Sequence, residues 1–272
     1  MTVIEQLTKS AEYIFEQVNF RPRVAVTLGS GLSAFAETIE VEAAIPYSQI
    51  PHLLPTTVEG HPGQMVLGHL NGVPVALLQG RIHLYEGHDV GQVVYPTRLL
   101  KQLGAEILVL TNAAGGLDPK MQPGDFMIIR DHINLTGTNP LLGPNIEAIG
   151  PRFPDMSTVY DKQLSEKLTT IMRNNGLRYF EGTYCGVLGP SYETPAEVSY
   201  LQKIGGQAVG MSTVAEAIAA RHAGLRICGL SCITNLASGI SQQQITHDEV
   251  KEVARRVEND FNTILKGLIV EL

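Results

Sequence analysis

Short runs of apolar, often β-branched residues recur along the chain, and several of the segments between them show helical periodicity. The runs lie at residues 24–28, 73–78, 107–110, 126–129, 208–211 and 227–233. Continuous apolar runs of this length indicate buried strands, and their alternation with amphipathic segments is typical of a sheet with helices on its faces. Glycines and prolines are scattered through turns and form no linker. The pattern therefore predicts an α/β fold in a single domain, residues 1–272.

The clearest helix signal is at the C-terminus. Thr246 and Glu249 form a Thr-x-x-Glu capping box, and an apolar stripe at helical spacing follows as far as Leu268. Ile245 and Val250 are spaced to form a hydrophobic staple at the start of this segment. One continuous C-terminal helix is therefore expected.

Other segments also carry helix signals. Thr194 and Thr213 each begin a Thr-x-x-Glu pattern, so a capped helix is expected to start at both positions. A further helix is predicted over residues 161–175. The helical pattern of residues 90–103 contains Pro96, which is not tolerated in a helix interior.

The charge and cysteine content exclude several classes of function. Lys+Arg number 20 against 27 Asp+Glu, which gives a net charge of −7 and argues against nucleic acid as a partner. The three cysteines are too few for a disulfide framework, so buried, reduced thiols are expected. The first residues, MTVIEQLTKS, have no apolar core, and no run approaches the roughly 18 apolar residues of a membrane span. A cytoplasmic protein with no membrane partner is therefore expected.

The first candidate for chemistry is the glycine turn Leu28-Gly29-Ser30-Gly31-Leu32. A predicted strand ends there and a helix is expected to begin, so backbone N–H groups and a hydroxyl would meet where an oxyanion can bind. The turn matches neither G-x-G-x-x-G nor a P-loop, because no lysine follows. A purely structural tight turn is the alternative.

Arg81, His83 and Tyr85 alternate with apolar residues directly after the run at residues 73–78. In an extended chain this spacing places all three side chains on one face. A guanidinium beside an imidazole suits an anion. The alternative is an edge strand with a solvated polar face. The histidines of this region lack metal-ligand spacing, so no metal site is predicted.

Ser212 lies between a short predicted strand and the helix expected to begin at Thr213. Free N–H groups and the helix dipole at this point favour an anion. Val214 follows Thr213 where a nucleophile elbow requires glycine, so a serine hydrolase is not predicted. The alternative is that Ser212 is an additional capping hydroxyl.

Two further residues are placed where a heterocyclic base can bind. Glu193 lies between Tyr192 and the capping residue Thr194, so its carboxylate can accept ring N–H groups beside an aromatic surface. Asn235 follows an apolar run, and ligands bind at strand ends in α/β sheets. An acid favoured by the helix dipole is the alternative for Glu193.

The order of the motifs along the chain is specific. Between Arg23 and the C-terminal helix the chain carries, in this order, LGSGL, TVEGHPGQ, QGRIHLYEG, LTNAAGG, DHINLTGTNPL, RFPDMS, GPSYETPAE, VGMST, ITN and HDE. In this order they resemble the homotrimeric class of purine nucleoside phosphorylases. The resemblance implies a mixed α/β sheet, a homotrimer, and attack of phosphate on the anomeric carbon of a purine nucleoside in purine salvage. It implies inorganic phosphate as co-substrate and neither a metal nor an organic cofactor.

The resemblance also implies roles for individual residues. The implied phosphate-binding residues are Ser30, His61, Arg81, His83, the backbone N–H of Ala113, and Ser212. The implied purine-binding residues are Tyr192, Glu193, Val209, Met211 and Asn235. The implied ribose-binding residues are Tyr85, Met211, His247 and, from a neighbouring subunit, Phe153. Asn235, Glu193 and His83 would be the catalytic residues.

Two other functions compete with this one. A methylthioadenosine phosphorylase would have the same fold, but an apolar neighbour would suit its 5′-methylthio group. Glu193, Asn235 and His247 instead favour a 6-oxopurine and a free 5′-hydroxyl. A catalytically silent binding protein would hold a nucleoside or phosphate without cleaving it, and the presence of residues for both ligands argues against this function.

Overall fold

The computed structural model describes residues 1–58, 61–241 and 246–272. In these residues nine β-strands form one mixed sheet, and eight α-helices surround it. The strands are β1 (Val24–Leu28), β2 (Glu40–Pro46), β3 (Gln64–Leu70), β4 (Val73–Gln79), β5 (Ile107–Gly116), β6 (Phe126–Leu135), β7 (Tyr179–Val187), β8 (Ala208–Gly210) and β9 (Arg226–Leu236). The helices are α1 (Val3–Gln17), α2 (Val90–Val93), α3 (Tyr95–Leu103), α4 (Lys162–Asn174), α5 (Pro195–Lys203), α6 (Val214–His222), α7 (His247–Arg256) and α8 (Glu258–Val270).

The sheet order is β2-β3-β4-β1-β5-β8-β7-β6-β9, and β9 also pairs with β5. The strands from β5 to β9 therefore close on themselves, while β2, β3, β4 and β1 extend the sheet outward. β1 is parallel to both β4 and β5, whereas β3 is antiparallel to both β2 and β4. The prediction of a central mixed sheet flanked by helices is confirmed.

The core lies on the two faces of this sheet. Side chains alternate across it, so that Ala25 of β1 packs in one apolar cluster and Val24 and Val26 pack in the other. Helices α1, α3 and α6 cover the first face, and α4, α7 and α8 cover the second. All three cysteines are buried and unpaired, as expected. In the part of the chain that the structure describes, no helix is long and apolar enough to cross a membrane.

All six predicted strands are present, but β2, β3 and β7 were not predicted. β2 is mostly exposed, and β7 has only three buried residues and contains polar and small ones, so neither contains a continuous apolar run. Helix α1 was also missed, although Thr2 and Glu5 form the same capping box as the predicted helices. Its buried residues Leu7, Ala11 and Ile14 recur at helical spacing, which is the signal that identifies it.

The prediction of one continuous C-terminal helix is wrong. Thr246 caps α7 as expected, because its hydroxyl accepts the Glu249 N–H at 3.3 Å. The helix is, however, interrupted at Val257, and α8 begins at the next residue. At the break Arg256 donates to the Pro123 carbonyl at 2.6 Å, so the helix end is held on a neighbouring turn. The proposed staple residue Ile245 lies outside the described residues.

Pro96 explains why residues 90–103 form two helices. The break falls at Val94, and Pro96 lies in the first turn of α3, where its missing N–H has no helical partner to lose. The predicted helix over residues 161–175 is confirmed as α4, with Asp161 as its N-cap.

Candidate active site

A cavity of about 630 Å³ opens where several strands end. β1, β4, β5, β7, β8 and β9 each contribute residues to it, either from the strand itself or from the segment that follows. Its walls include Ser30, Arg81, His83, Tyr85, Ala113, Tyr192, Glu193, Val209, Met211, Ser212 and Asn235. Most of the candidate residues, which are far apart in the sequence, therefore line one cavity.

The cavity lies where β5 changes partners along one edge. β1 pairs with residues 107–110 of β5, and β8 pairs with residues 115–116, so the described sheet leaves residues 111–114 without a partner on that edge. Where the backbone pairing of β1 with β5 ends, the Thr111 hydroxyl links the two segments. It donates to the Thr27 carbonyl at 2.9 Å and accepts the Gly29 N–H at 3.1 Å. Ala113, in this gap, lines the cavity.

Ser30 lies in the turn that follows β1. Gly31 has φ of +76°, a left-handed conformation that other residues rarely adopt. The expected α-helix does not follow, because residues Ser33–Thr38 form only a short 3₁₀ helix. The anion-binding potential of this turn therefore comes from the Ser30 hydroxyl and local N–H groups rather than from a helix dipole.

His61 lies behind Ser30 rather than in the cavity wall. Its Nδ1 accepts the Arg81 backbone N–H at 3.3 Å, so Nε2 carries the proton and donates to the Ser30 hydroxyl at 3.0 Å. Gly80 has φ of +112°, and a Cβ there would lie 2.8 Å from the Cβ of His61. Burial lowers the pKa of His61 to about 4, aided by the neighbouring His83 and Arg81. His61 is therefore a neutral support for Ser30.

Arg81 is buried, with only 4% of its side chain exposed, and is held at three of its N–H groups. Nη1 donates to the Thr111 carbonyl at 2.8 Å, and Nε lies 3.1 Å from a carboxylate oxygen of Glu216. The segment after β4 is not an edge strand with a solvated face, because Arg81, Ile82 and His83 are all buried.

His83 and Tyr85 line the cavity beside Arg81, with their rings stacked at a centroid distance of 4.6 Å. The extended chain ends at His83, and residues Leu84–Glu86 form a 3₁₀ turn. His83 Nδ1 lies 3.2 Å from Glu86 Oε1, which leaves Nε2 for a ligand. Burial lowers the pKa of His83, which favours the neutral form of the ring.

Glu86 connects this turn to the segment before His61. Its carboxylate accepts N–H groups from His83 and from Thr57, at 2.6 and 3.1 Å, as well as the Thr57 hydroxyl. Burial alone would raise the pKa of Glu86, but these hydrogen bonds together lower it to about 2. Glu86 is therefore a fixed anion that orients His83.

Ser212 is placed by an unusual turn between β8 and α6. Thr213 has φ of 71° and ψ of −48°, and the Val214 N–H bonds to the Ser212 carbonyl at 2.7 Å, which defines a γ-turn. Such a turn is rare and strained for a β-branched residue. The turn brings the Ser212 hydroxyl into the cavity wall.

Glu193 and Asn235 also line the cavity. Burial raises the pKa of the Glu193 carboxyl, so a ligand that donates N–H groups to it would replace lost solvation. Asn235 Oδ1 accepts the Thr234 hydroxyl at 3.1 Å, and Nδ2 donates to the Leu236 carbonyl at 3.2 Å. These bonds fix the amide orientation and leave a second Nδ2 hydrogen for a ligand. Tyr192, Val209 and Met211 also line the cavity.

The structure does not bring Phe153 into this cavity. Phe153 is 87% exposed and lines a separate surface groove, with Leu142 and Met156 among its neighbours. His247 begins α7, but its side chain lies outside the described residues.

Several residues of the cavity wall were not singled out from the sequence. They include Thr57, Val58, Asn112 and Val250. Val250 falls on the apolar stripe of its helix and looks like a core residue, and the segment around Thr57 carries no secondary-structure signal. Glu86 follows His83 by three residues, and this His-x-x-Glu spacing is the signal that could have linked the two.

Comparison with known proteins supports the family resemblance that the order of the motifs indicates. Residues 23–270 match the family model described as the phosphorylase superfamily. Purine nucleoside phosphorylase 1 of Geobacillus stearothermophilus is 49% identical over 268 residues, which cover 98% of this chain and 97% of that protein. The purine nucleoside phosphorylase of Bos taurus is 42% identical over 275 residues, with coverage of 98% and 95%.

A solved structure shows the same likeness in three dimensions. The Schistosoma mansoni purine nucleoside phosphorylase in complex with adenosine superposes with a TM-score of 0.95 at 36% identity, covering 100% of this chain and 99% of that one. Both the family match and the relatives thus extend over nearly the whole chain. The chain therefore belongs to the phosphorylase superfamily, within its purine nucleoside phosphorylases.

Proposed function

We propose that this enzyme catalyses the reversible phosphorolysis of purine ribo- and deoxyribonucleosides of the inosine and guanosine type. The observation that carries the proposal is one cavity lined by two chemically different groups of residues. Arg81 and His83, with hydroxyls from Ser30 and Ser212, suit an oxyanion, and we assign them to the first end of the cavity; Glu193 and the other base-binding candidates are assigned to the second end.

The first end supplies the groups that phosphate needs. The Arg81 guanidinium contributes charge and N–H donors, and the hydroxyls of Ser30 and Ser212 can each donate to a phosphate oxygen. A neutral His83 can accept the proton of monohydrogen phosphate at Nε2. A phosphate held there would attack the anomeric carbon as the glycosidic bond breaks, and the electron pair of that bond would leave with the purine.

The second end would stabilise the departing base. Glu193 can accept the N1–H of a 6-oxopurine, and the free Nδ2 hydrogen of Asn235 can donate to N7, where negative charge develops. Fixed donors aimed at developing charge are the largest catalytic contribution in many enzymes. The proposed reaction needs phosphate as co-substrate and neither a metal nor an organic cofactor.

Base release from inosine and guanosine should require phosphate. Both nucleosides would be incubated with and without phosphate or arsenate, and the free base quantified by chromatography. We expect release with either anion and none above background without them, because the oxyanion is the nucleophile. Equal rates in phosphate-free buffer would indicate a hydrolase, and binding without release would indicate a silent binding protein. Adenosine and methylthioadenosine in the same series test the preference for 6-oxopurines.

We also propose that the enzyme is a homotrimer in which Phe153 enters the ribose site of a neighbouring subunit. The exposed Phe153 ring and the apolar groove around it support this, because large exposed apolar patches commonly mark interfaces. Sedimentation should show a trimer, and Phe153→Ala should raise the nucleoside KM while leaving the phosphate KM within twofold. A fully active monomer would contradict the proposal.

We place the reaction in the cytoplasm and in purine salvage. The three free, buried thiols are in keeping with a reducing compartment. Phosphorolysis conserves the glycosidic bond energy in a sugar phosphate, which makes the reaction reversible and suited to recovering bases.

A further inference from the structure

We propose that Glu216 is a positioning residue for phosphate: its carboxylate holds the Arg81 guanidinium and the turn that carries Ser212 in a fixed relation to each other. The proposal rests on the proposed function, because phosphate is the ligand that these two groups would share. Arg81 and Ser212 lie far apart in the sequence, after different strands, so something in the fold has to set the distance between them.

The contacts of Arg81 show how Glu216 directs it. Nε lies 3.1 Å from Glu216 Oε2, and Nη2 lies 3.3 Å from Glu216 Oε1, so the carboxylate occupies one edge of the guanidinium. Thr111 accepts one Nη1 hydrogen through its carbonyl. A guanidinium has five N–H groups, so these contacts leave one hydrogen on each Nη atom. These remaining donors can bind phosphate oxygens.

The same carboxylate supports the turn at Ser212. Glu216 Oε2 accepts the Thr213 N–H at 3.0 Å. Thr213 is 1% exposed and lies in the strained γ-turn, and the Asn112 amide donates to its hydroxyl at 2.9 Å. Strained backbone of this type persists only where its surroundings hold it. Glu216 is therefore one of the groups that keep Ser212 in the cavity wall.

Two other glutamates of this chain show that helix capping alone does not require a carboxylate buried against an arginine. Thr2 donates its N–H to Glu5 at 2.8 Å, and Thr194 donates to Glu197 at 2.7 Å, in the same Thr-x-x-Glu box. Both of these glutamates are exposed, and both threonines have ordinary φ values of −74° and −71°. Only at Glu216, among the described boxes that start with threonine, is the carboxylate buried against an arginine.

The test is the Glu216→Gln variant, which keeps the side-chain shape but replaces one carboxylate oxygen by an NH₂ group. That group would face the N–H donors of Arg81, so the two-point contact would be lost. We expect the KM for phosphate to rise about tenfold or more, as for loss of a charged hydrogen bond, with the nucleoside KM within twofold. Glu5→Gln is the matched control, because it alters a capping box of the same type in α1, far from the cavity. It should leave both KM values unchanged.

A double-mutant cycle separates positioning from general damage. In an Arg81→Ala background, Glu216→Gln should change the phosphate KM by less than twofold, because the glutamine oxygen can still accept the Thr213 N–H and only the contact with Arg81 is lost. Glu216→Asp, whose shorter side chain cannot reach both partners, should reproduce the selective rise if the glutamine variant does not fold. Equal effects on phosphate and nucleoside, an unchanged phosphate KM, or a full effect without Arg81 would overturn the inference. Base release by the wild type without phosphate would instead overturn the proposed function.

Discussion

Asn235→Ala should lower kcat for inosine and guanosine by about 100- to 1,000-fold, roughly 2.7–4 kcal/mol, as in the removal of one oxyanion-hole donor. The Asn235 amide is held by Thr234 and Leu236, and its remaining hydrogen becomes most valuable when the purine carries negative charge. An interaction made mainly in the transition state affects kcat more than KM. Initial-rate kinetics at saturating phosphate would measure both constants.

The control for this substitution is Asn175→Ala. The Asn175 amide also donates to a backbone carbonyl, that of Ile171 at 2.8 Å, but it lies at the end of α4, away from the cavity. Asn235→Asp should also impair turnover of 6-oxopurines, because an ionised carboxylate has no proton to donate to N7. A kcat within twofold of the wild type for Asn235→Ala on both nucleosides would show that this residue only terminates its strand.

Arg81→Ala should raise the phosphate KM by roughly 10- to 100-fold, since a hydrogen bond to a charged group contributes about 1.5–3 kcal/mol. The nucleoside KM should change much less, because Arg81 belongs to the oxyanion end of the cavity. Arg81→Lys should rescue only part of the loss, since an ammonium keeps the charge but lacks the planar fork. Phosphate titrations at saturating inosine would measure the effect.

Arg130→Ala is the matched control for this prediction. Arg130 also pairs with a glutamate, Glu181 at 2.9 Å, but this pair is partly exposed and lies outside the cavity wall. The control should leave the phosphate KM unchanged. Because Arg81→Ala leaves the Glu216 carboxylate buried without its cation, thermal unfolding of each variant should be recorded. A folded Arg81→Ala enzyme with the phosphate KM of the wild type would remove Arg81 from the phosphate site.

Much of the fold could be predicted because buried strands in an α/β sheet are continuously apolar. β1 and β4 are of this kind, whereas the exposed strand β2 has no such pattern and depends on its pairing with β3. The break before α8 could not be predicted either. It carries no local helix breaker, and the residues at the break contact the turn at residues 123–124 instead.

The candidate site could be predicted where motifs follow strands, because strand ends of an α/β sheet meet at its ligand-binding edge. Ser30 and Asn235 were found in this way. Glu216 was assigned only a capping role, since its contact with Arg81 joins residues 135 positions apart and leaves no local signal. The γ-turn at Thr213 was also unpredictable, because threonine rarely adopts its conformation.

The measurement that tests the account most directly is the fate of phosphate oxygen during turnover of inosine. With phosphate labelled in all its oxygens by oxygen-18, phosphorus NMR and mass spectrometry would locate the label in the sugar product. If phosphate held at Arg81 and His83 attacks the anomeric carbon, the product is pentose 1-phosphate whose bridging oxygen carries the label. Free pentose with an anomeric oxygen from water would contradict the account.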